Sequence, residues 1–219
     1  MFVWFILSKY QEKIVSLNFK ILIMRFVKVF FLFVTILTYS QNCDEEAARH
    51  YHQKLNQQYG NLEKSPLKAK DLESFKSLNF FDVNMAFCVK AKLVLTPEEK
   101  PFEMLTTTDR KPLYVKYGIL HFEINGKACQ LEAYKSIPKD KSIINNFLFI
   151  PFTDLTSGNE SYGGGRYLDI EIPESDALTI DFNKCYNPYC AYNEKYSCPL
   201  TPAVNDLAVE IKAGVKTFK

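Results

Sequence analysis

The chain has 219 residues, 47% of them hydrophobic and 15% aromatic, enough for one domain with a sizeable core or at most two small ones. A formal net charge of +2 gives no electrostatic footprint for nucleic acid. Glycine and proline are modest in number, and neither an internal repeat nor a low-complexity tract is found.

The first forty residues read as a segment apart. Arg25 and Lys28 precede an apolar run from Val29 to Leu37, followed by Thr38-Tyr39-Ser40-Gln41. A basic flank, an apolar run of this length and small residues before a cut describe a secretory signal, with cleavage after Ser40. The run is too short to span a bilayer, which needs about 20 apolar residues. Met24 stands directly before Arg25 and gives the signal a normal beginning, so residues 1–23 are read as lying upstream of the true start. Cys43 raises the alternative of a lipid-bearing N-terminus, but Gln41 and Asn42 stand where such a signal carries small residues. Removal of residues 1–40 takes away five basic residues and one acid, leaving 179 residues and a net charge of −2. The expected location is therefore outside the cytoplasm, periplasmic or secreted, where cysteines pair.

In the mature chain, Asp44 to Tyr59 reads as a helix with acids at its start and Gly60 placed to end it. His50 and His52 sit two apart on it, on different sides, which suits solvated surface better than a shared metal. Ser65-Pro66-Leu67 opens a second short helical piece reaching Phe75. From Asn79 strand patterns dominate. Met85, Phe87, Val89, Ala91, Leu93 and Leu95 alternate with Lys90 and Lys92, the period of a half-buried strand. Further strands are expected at Phe102 to Thr107, Leu113 to Ile124, and on to Tyr134 after an Asn125-Gly126 hairpin. Phe147 to Phe152, Arg166 to Ile172, Ala177 to Phe182 and Asp206 to Ala213 complete the set. About eight short strands separated by turns give a mainly β fold, an antiparallel sandwich or partly closed barrel with N-terminal helices. The expected division is residues 1–40 as upstream segment and signal, 41–78 as helical segment and 79–219 as the β-rich domain packed with it.

Unusual residues crowd the last third. The motifs run Pro151-Phe152-Thr153-Asp154-Leu155-Thr156, Tyr162-Gly163-Gly164-Gly165-Arg166-Tyr167, Asp181-Phe182-Asn183 and Asn187-Pro188-Tyr189-Cys190-Ala191-Tyr192. Cys198-Pro199, Asn205 and Ala213-Gly214-Val215 follow. In this order they resemble the bacterial family called domain of unknown function 1684, over Ser65 to Phe218. Thr201-Pro202 and Val215 depart from the usual pattern without touching its polar part. The resemblance implies a shared fold and site and brings no activity with it.

The residues themselves admit two readings. Three glycines let backbone approach closely, and Arg166 beside them makes a cradle for a carboxylate or phosphate. Alternatively the glycines form a tight turn and Arg166 pairs with Asp181 or Asp154. The alternation of the strand ending at Asn183 points Asp181 and Asn183 to one side, either into a pocket with Arg166 or onto the next turn as caps. Six clustered tyrosines suit a ligand wall or the rim of a barrel.

Cys190 and Cys198, eight apart in an exported chain, are expected to form a disulfide. Reduced structural thiols, a metal site with Cys185 as a third ligand, or a catalytic thiol are the alternatives; the last would need a base or an electropositive setting, and this last third contains no histidine. Cys88 and Cys129 fall in strand patterns and read as core.

The resulting expectation is an exported binding module for a small anionic or sugar-like ligand. Its site comprises Arg166, Asp181, Asn183, Asp154, Tyr162 and Asn187. No cofactor, metal or nucleic acid is called for. A hydrolase or transferase using Asp154, Glu160 or Asp181 is the rival, and a structural envelope protein the third possibility; an enzyme should bring carboxylates of opposed pKa together in a cleft.

Overall fold

The structure is a computed structural model that describes residues 43–140, 142 and 145–219. The expected signal segment and its cleavage site lie outside the described residues. Helix α1 (Glu45–Tyr59) starts where the sequence predicts. The Asp44 carboxylate accepts the Glu46 N–H at 2.9 Å, and the acids of the first turn face the free amide ends. Gly60 closes the helix by donating to the Asn56 carbonyl. Ala48, Leu55 and Tyr59 form its buried stripe. Helix α2 (Ala69–Glu73) is shorter than expected. The Ser65 hydroxyl donates to the Tyr59 carbonyl and accepts from the Leu67 N–H, so this stretch turns before it coils.

Eight strands follow: β1 (Cys88–Leu95), β2 (Phe102–Glu103), β3 (Leu113–Ile124), β4 (Lys127–Ser136), β5 (Phe147–Asp154), β6 (Arg166–Glu171), β7 (Ala177–Asp181) and β8 (Asp206–Leu207). They make a curled half-barrel in the order β6-β5-β4-β3-β1-β7, with β2 on β3 and β8 parallel to β5. The main path is antiparallel throughout, which matches the partly closed barrel expected for the fold. Asn125-Gly126 joins β3 to β4 with both residues at positive φ, 51° and 76°, as a type I′ turn requires. A bulge between Lys116 and Gly118 adds to the curl of β3.

Strict alternation on β4, β5 and β6 divides their side chains between two faces. Leu131, Ala133, Leu148, Ile150, Phe152, Leu168 and Ile170 enter the main core. Tyr134, Phe149 and Tyr167 point the other way and form a second cluster with Met104. A third cluster packs Leu55 and Tyr59 of α1 against Tyr192 and Val215 near the C-terminus. The start of α1 is covalently fixed by a Cys43–Cys88 disulfide with Cα atoms 5.7 Å apart. Closing a loop of that span contributes roughly 4 kcal/mol by chain-entropy arithmetic. Cys88 is thus a bridge partner rather than simple core, a correction invisible from strand pattern alone.

Strands β4 and β5 meet backbone to backbone only at Tyr134 and Phe149. Beyond that point they are joined by a side chain. The fully buried Asn205 amide accepts the Glu132 N–H at 2.8 Å and donates to the carbonyls of Glu132 (2.9 Å) and Pro151 (2.7 Å). A side-chain amide here replaces a missing strand partner. Removing it as Asn205→Ala leaves three buried backbone groups unpaired. Urea unfolding should show a loss of about 3 kcal/mol, since each such group costs about 1–3 kcal/mol; a loss within experimental error would contradict the bridging role.

Candidate functional site

Arg166 opens β6 with no exposed surface. One guanidinium nitrogen donates to the Ala213 carbonyl (2.5 Å) and the other to the Ile211 carbonyl (2.8 Å) and the Asp154 carboxylate (3.1 Å). Asp154, at the end of β5, is equally enclosed. Its second oxygen accepts the Ile211 N–H at 2.7 Å and the Thr156 N–H at 3.2 Å, and the Thr156 hydroxyl donates to the carboxylate. The rings of Phe152 and Phe81 lie 5.3 and 5.7 Å from the guanidinium carbon. The pair therefore ties β5 and β6 to the C-terminal segment. It also accounts for the strand expected over Asp206 to Ala213 stopping at Leu207: beyond it, the Ile211 amide and the Ile211 and Ala213 carbonyls are paired by these two side chains instead of a ladder.

The glycine run is part of the same construction. Gly165 has φ +90°, and a Cβ there would meet the Phe152 carbonyl at 2.6 Å. The run turns the chain into β6 against β5; it does not open a cradle. The other expected site residues are likewise internal. Asn183 is fully buried and pairs with both backbone groups of Asn84, accepting at 2.9 Å and donating at 3.0 Å. Asp181 caps the turn at Phe182–Lys184 through the Asn183 N–H and ion-pairs with Lys184 at 3.3 Å. Asn187, also buried, donates to the Lys216 carbonyl. Glu160 pairs with Lys212 at the surface. His52, read as solvated, stacks on Phe80 at 3.9 Å and bonds the Asn183 carbonyl; burial lowers its pKa. Cys185 lies in the main core, its thiol on the Ala213 carbonyl and pushed up to about 11 by burial.

None of Arg166, Asp154, Asp181, Asn183, Tyr162 or Asn187 lines a cleft formed among the described residues elsewhere on the sheet. That cleft, of about 950 Å³, lies on the second face of the sheet. Tyr114 of β3, Phe147 and Phe149 of β5, and Tyr167 and Asp169 of β6 face it. The register places Phe149 opposite Asp169, so both project to the same face. Helix α1 lines it through Tyr51, Leu55 and Tyr59, one stripe at helical spacing, and through Lys54, Gln57 and Gln58 beside them. Tyr186, Tyr189 and residues 197–199 complete the wall.

The cleft is prearranged. Tyr186 is fixed along β6 by paired backbone hydrogen bonds with Tyr167, 2.8 and 3.0 Å, and its hydroxyl donates to Asp169 at 2.5 Å. The Tyr167 hydroxyl donates to the Pro199 carbonyl, and Gln58 donates to the Tyr189 hydroxyl at 2.8 Å. Rings meet edge to face, Phe149 on Tyr167 at 4.7 Å and Tyr167 on Tyr186 at 5.9 Å. Asp169 reaches solvent through the open mouth, yet the apolar walls around it raise its carboxyl pKa, against the opposing hydrogen bond from Tyr186. Burial raises the Tyr186 and Tyr51 phenols above their ordinary range, which already leaves both protonated and able to donate at neutral pH. Among the described residues no ion pair involves Asp169.

Of the tyrosines crowded in the last third, Tyr167, Tyr186 and Tyr189 do line this cleft. Tyr51, Gln58, Tyr114, Phe149 and Asp169 were missed. The alternation of β5 and β6 carried a signal for Phe149 and Asp169; the α1 residues join them only through tertiary packing.

The half-barrel, its buried polar ties and the aromatic cleft define a mainly β domain. A family described as protein of unknown function, DUF1684, matches residues 73–216, and the chain belongs to that family. The solution structure of an uncharacterized protein from Haloarcula marismortui is similar, at 30% identity and a TM-score of 0.62, covering 79% of this chain and 94% of that one. Among curated proteins none matches. Helix α1, with its share of the cleft, lies ahead of the matched segment.

Two outcomes test this placement. Arg166→Met leaves Asp154 buried without its counter-charge and should cost about 3–5 kcal/mol in urea unfolding; a variant as stable as the parent would show that the pair is not structural. For Asp169, a folded pKa above its unfolded value means that the native state binds the extra proton. Its contribution to stability should decline as pH rises from the ordinary carboxylate range through the raised folded pKa. Asp169→Asn should remove that decline, so melting temperatures of parent and variant should diverge with rising pH, the variant being higher. A difference independent of pH would contradict the assigned shift.

Proposed function

We propose that the protein is an exported binding module whose aromatic cleft holds a small sugar-like ligand. The carrying observation is the combination of ring faces with the Asp169–Tyr186 hydrogen-bonded pair inside one preformed cleft. Ring faces receive the C–H surface of a sugar, while its hydroxyls need donors and acceptors placed around them. Gln57, Gln58, Asn61, Ser136, Asn145 and Asp169 supply those. Lys54 and Lys64 also line the cleft, so an acidic substituent on the sugar points toward them and away from Asp169.

An acid–base enzyme fits less well. Asp154, Glu160 and Asp181 are taken up by Arg166, Lys212 and the turn after β7. Asp169 is the one carboxylate among the residues lining the cleft. The Cys43–Cys88 bridge supports export, because such bonds persist in oxidising compartments. It also argues against a lipid on Cys43, whose sulfur is already bonded. On this reading cleavage after Ser40 leaves Gln41 at the N-terminus.

Calorimetric titration with a panel of neutral hexoses and hexuronic acids tests the proposal. At least one class should bind, and Tyr114→Ala and Asp169→Asn should each weaken it about tenfold or more, equivalent to about 1.4 kcal/mol. Circular dichroism checks that both variants are folded. No binding across the panel, or binding indifferent to both substitutions, would overturn it.

A further inference from the structure

The expected Cys190–Cys198 disulfide is open in this structure: both residues are free thiols. Their juxtaposition is nevertheless as the spacing required. The Cys190 N–H donates to the Cys198 sulfur at 3.1 Å. The same chain therefore closes one cysteine pair, Cys43–Cys88, and holds a second pair in contact without a bond.

The second pair is asymmetric. Cys190 sits on the short turn Tyr189–Ala191 and is partly exposed; Cys198 is buried. Cys198 is held rigidly from the β2–β3 connection: its N–H donates to the Thr107 hydroxyl at 3.1 Å and its carbonyl accepts the Thr107 N–H at 2.9 Å. Arg110 grips the neighbouring Ser197 through both its hydroxyl and its carbonyl. Tyr162 packs over Gly164, where a Cβ would meet its ring at 2.6 Å. This accounts for Tyr162 and for the middle glycine, which neither the cleft nor the Arg166 network uses.

We propose that Cys190 and Cys198 form a thiol–disulfide exchange site, with Cys190 the attacking sulfur and Cys198 the resolving one. The co-reactant class is a small-molecule disulfide. The Cys190 thiolate attacks one of its sulfurs; a mixed disulfide forms, the substrate S–S bond breaks, and the departing sulfur leaves as a thiolate. Cys198, on losing its proton to water, attacks the Cys190 sulfur, forms the internal bond and expels the second thiolate. Two electrons pass from the dithiol to the substrate, and its two thiolates take up protons according to their own pKa.

The chemistry of the pair agrees. The Cys190 thiol is lowered to about 7, first by the hydrogen bond from Cys198, against the cost of burial, with Tyr162 assisting. Cys198 is raised, chiefly by its bond to Cys190. A partly exposed low-pKa attacker beside a buried partner is the division of labour that exchange requires. Ser197, Cys198 and Pro199 also line the cleft, but the proposal does not depend on what the cleft binds.

The full protein is equilibrated with reduced and oxidised glutathione in varying ratio, quenched in acid, alkylated and mapped by mass spectrometry, so that Cys43–Cys88 is scored separately. The Cys190–Cys198 link should form and break within the glutathione range. Cys198→Ser should accumulate glutathione on Cys190, and Cys190→Ser should lower the rate of mixed-disulfide formation about tenfold or more. Iodoacetamide labelling of Cys190 should rise with pH through the lowered range. If Cys198→Ser does not fold, the parent titration and Cys190→Ser decide. A link that survives excess reduced glutathione makes the bridge purely structural and overturns the proposal. So does a Cys190 inert to both glutathione disulfide and iodoacetamide in the folded protein.

Discussion

A guanidinium and a carboxylate with no exposed surface hold three pieces of this chain together. Arg166 begins β6, Asp154 ends β5, and the segment containing Ile211 and Ala213 returns past both without forming a strand. Its carbonyls need donors and one of its amides needs an acceptor. Arg166 meets the first need and Asp154 the second, while each neutralises the other. Two charges so enclosed stabilise the fold only as a hydrogen-bonded unit; either alone is a large penalty. That constraint sets the end of β5, the start of β6, the glycine turn between them and the path of the C-terminus.

The same device recurs with asparagine. Asn205 stands in for a strand partner between β4 and β5, and Asn183 pairs with both backbone groups of Asn84. In both places the sheet or its margins depart from a regular ladder, and a buried amide supplies the missing peptide group. Regular alternation elsewhere leaves β4, β5 and β6 with two apolar faces. One fills the half-barrel; the other, with α1 drawn against it, makes the cleft.

Strand periodicity made β3 legible to the residue and β1, β5, β6 and β7 nearly so, because each has a buried face with period two. Asp206 to Ala213 has the same apolar pattern and yet leaves the ladder after two residues, since side-chain partners from distant strands are invisible in local sequence. The candidate site was less legible for a related reason. The motifs that carry the family resemblance, Asp154, Arg166, Asn183, Asn187 and Asn205, are buried polar residues whose partners are internal. Their unusual chemistry marks irregular backbone as strongly as it would mark a ligand. The cleft residues are ordinary by comparison: tyrosines, glutamines and one aspartate among them, brought together from α1, four strands and the C-terminal loops. Local sequence located the tyrosine cluster and the cysteine pair, but not the face on which each would act.

The central claim is that the Arg166 network builds the domain and that recognition takes place across the sheet from it, in the cleft. Backbone amide NMR during titration with a hexuronic acid tests this most directly. The account predicts that shifts concentrate at Tyr51, Gln58, Phe149, Asp169, Tyr186 and Cys198, with Asp154, Arg166, Asp181 and Asn183 unmoved. Shifts centred on Gly163 to Arg166, Asp181 and Asn183, with the cleft residues silent, would contradict it.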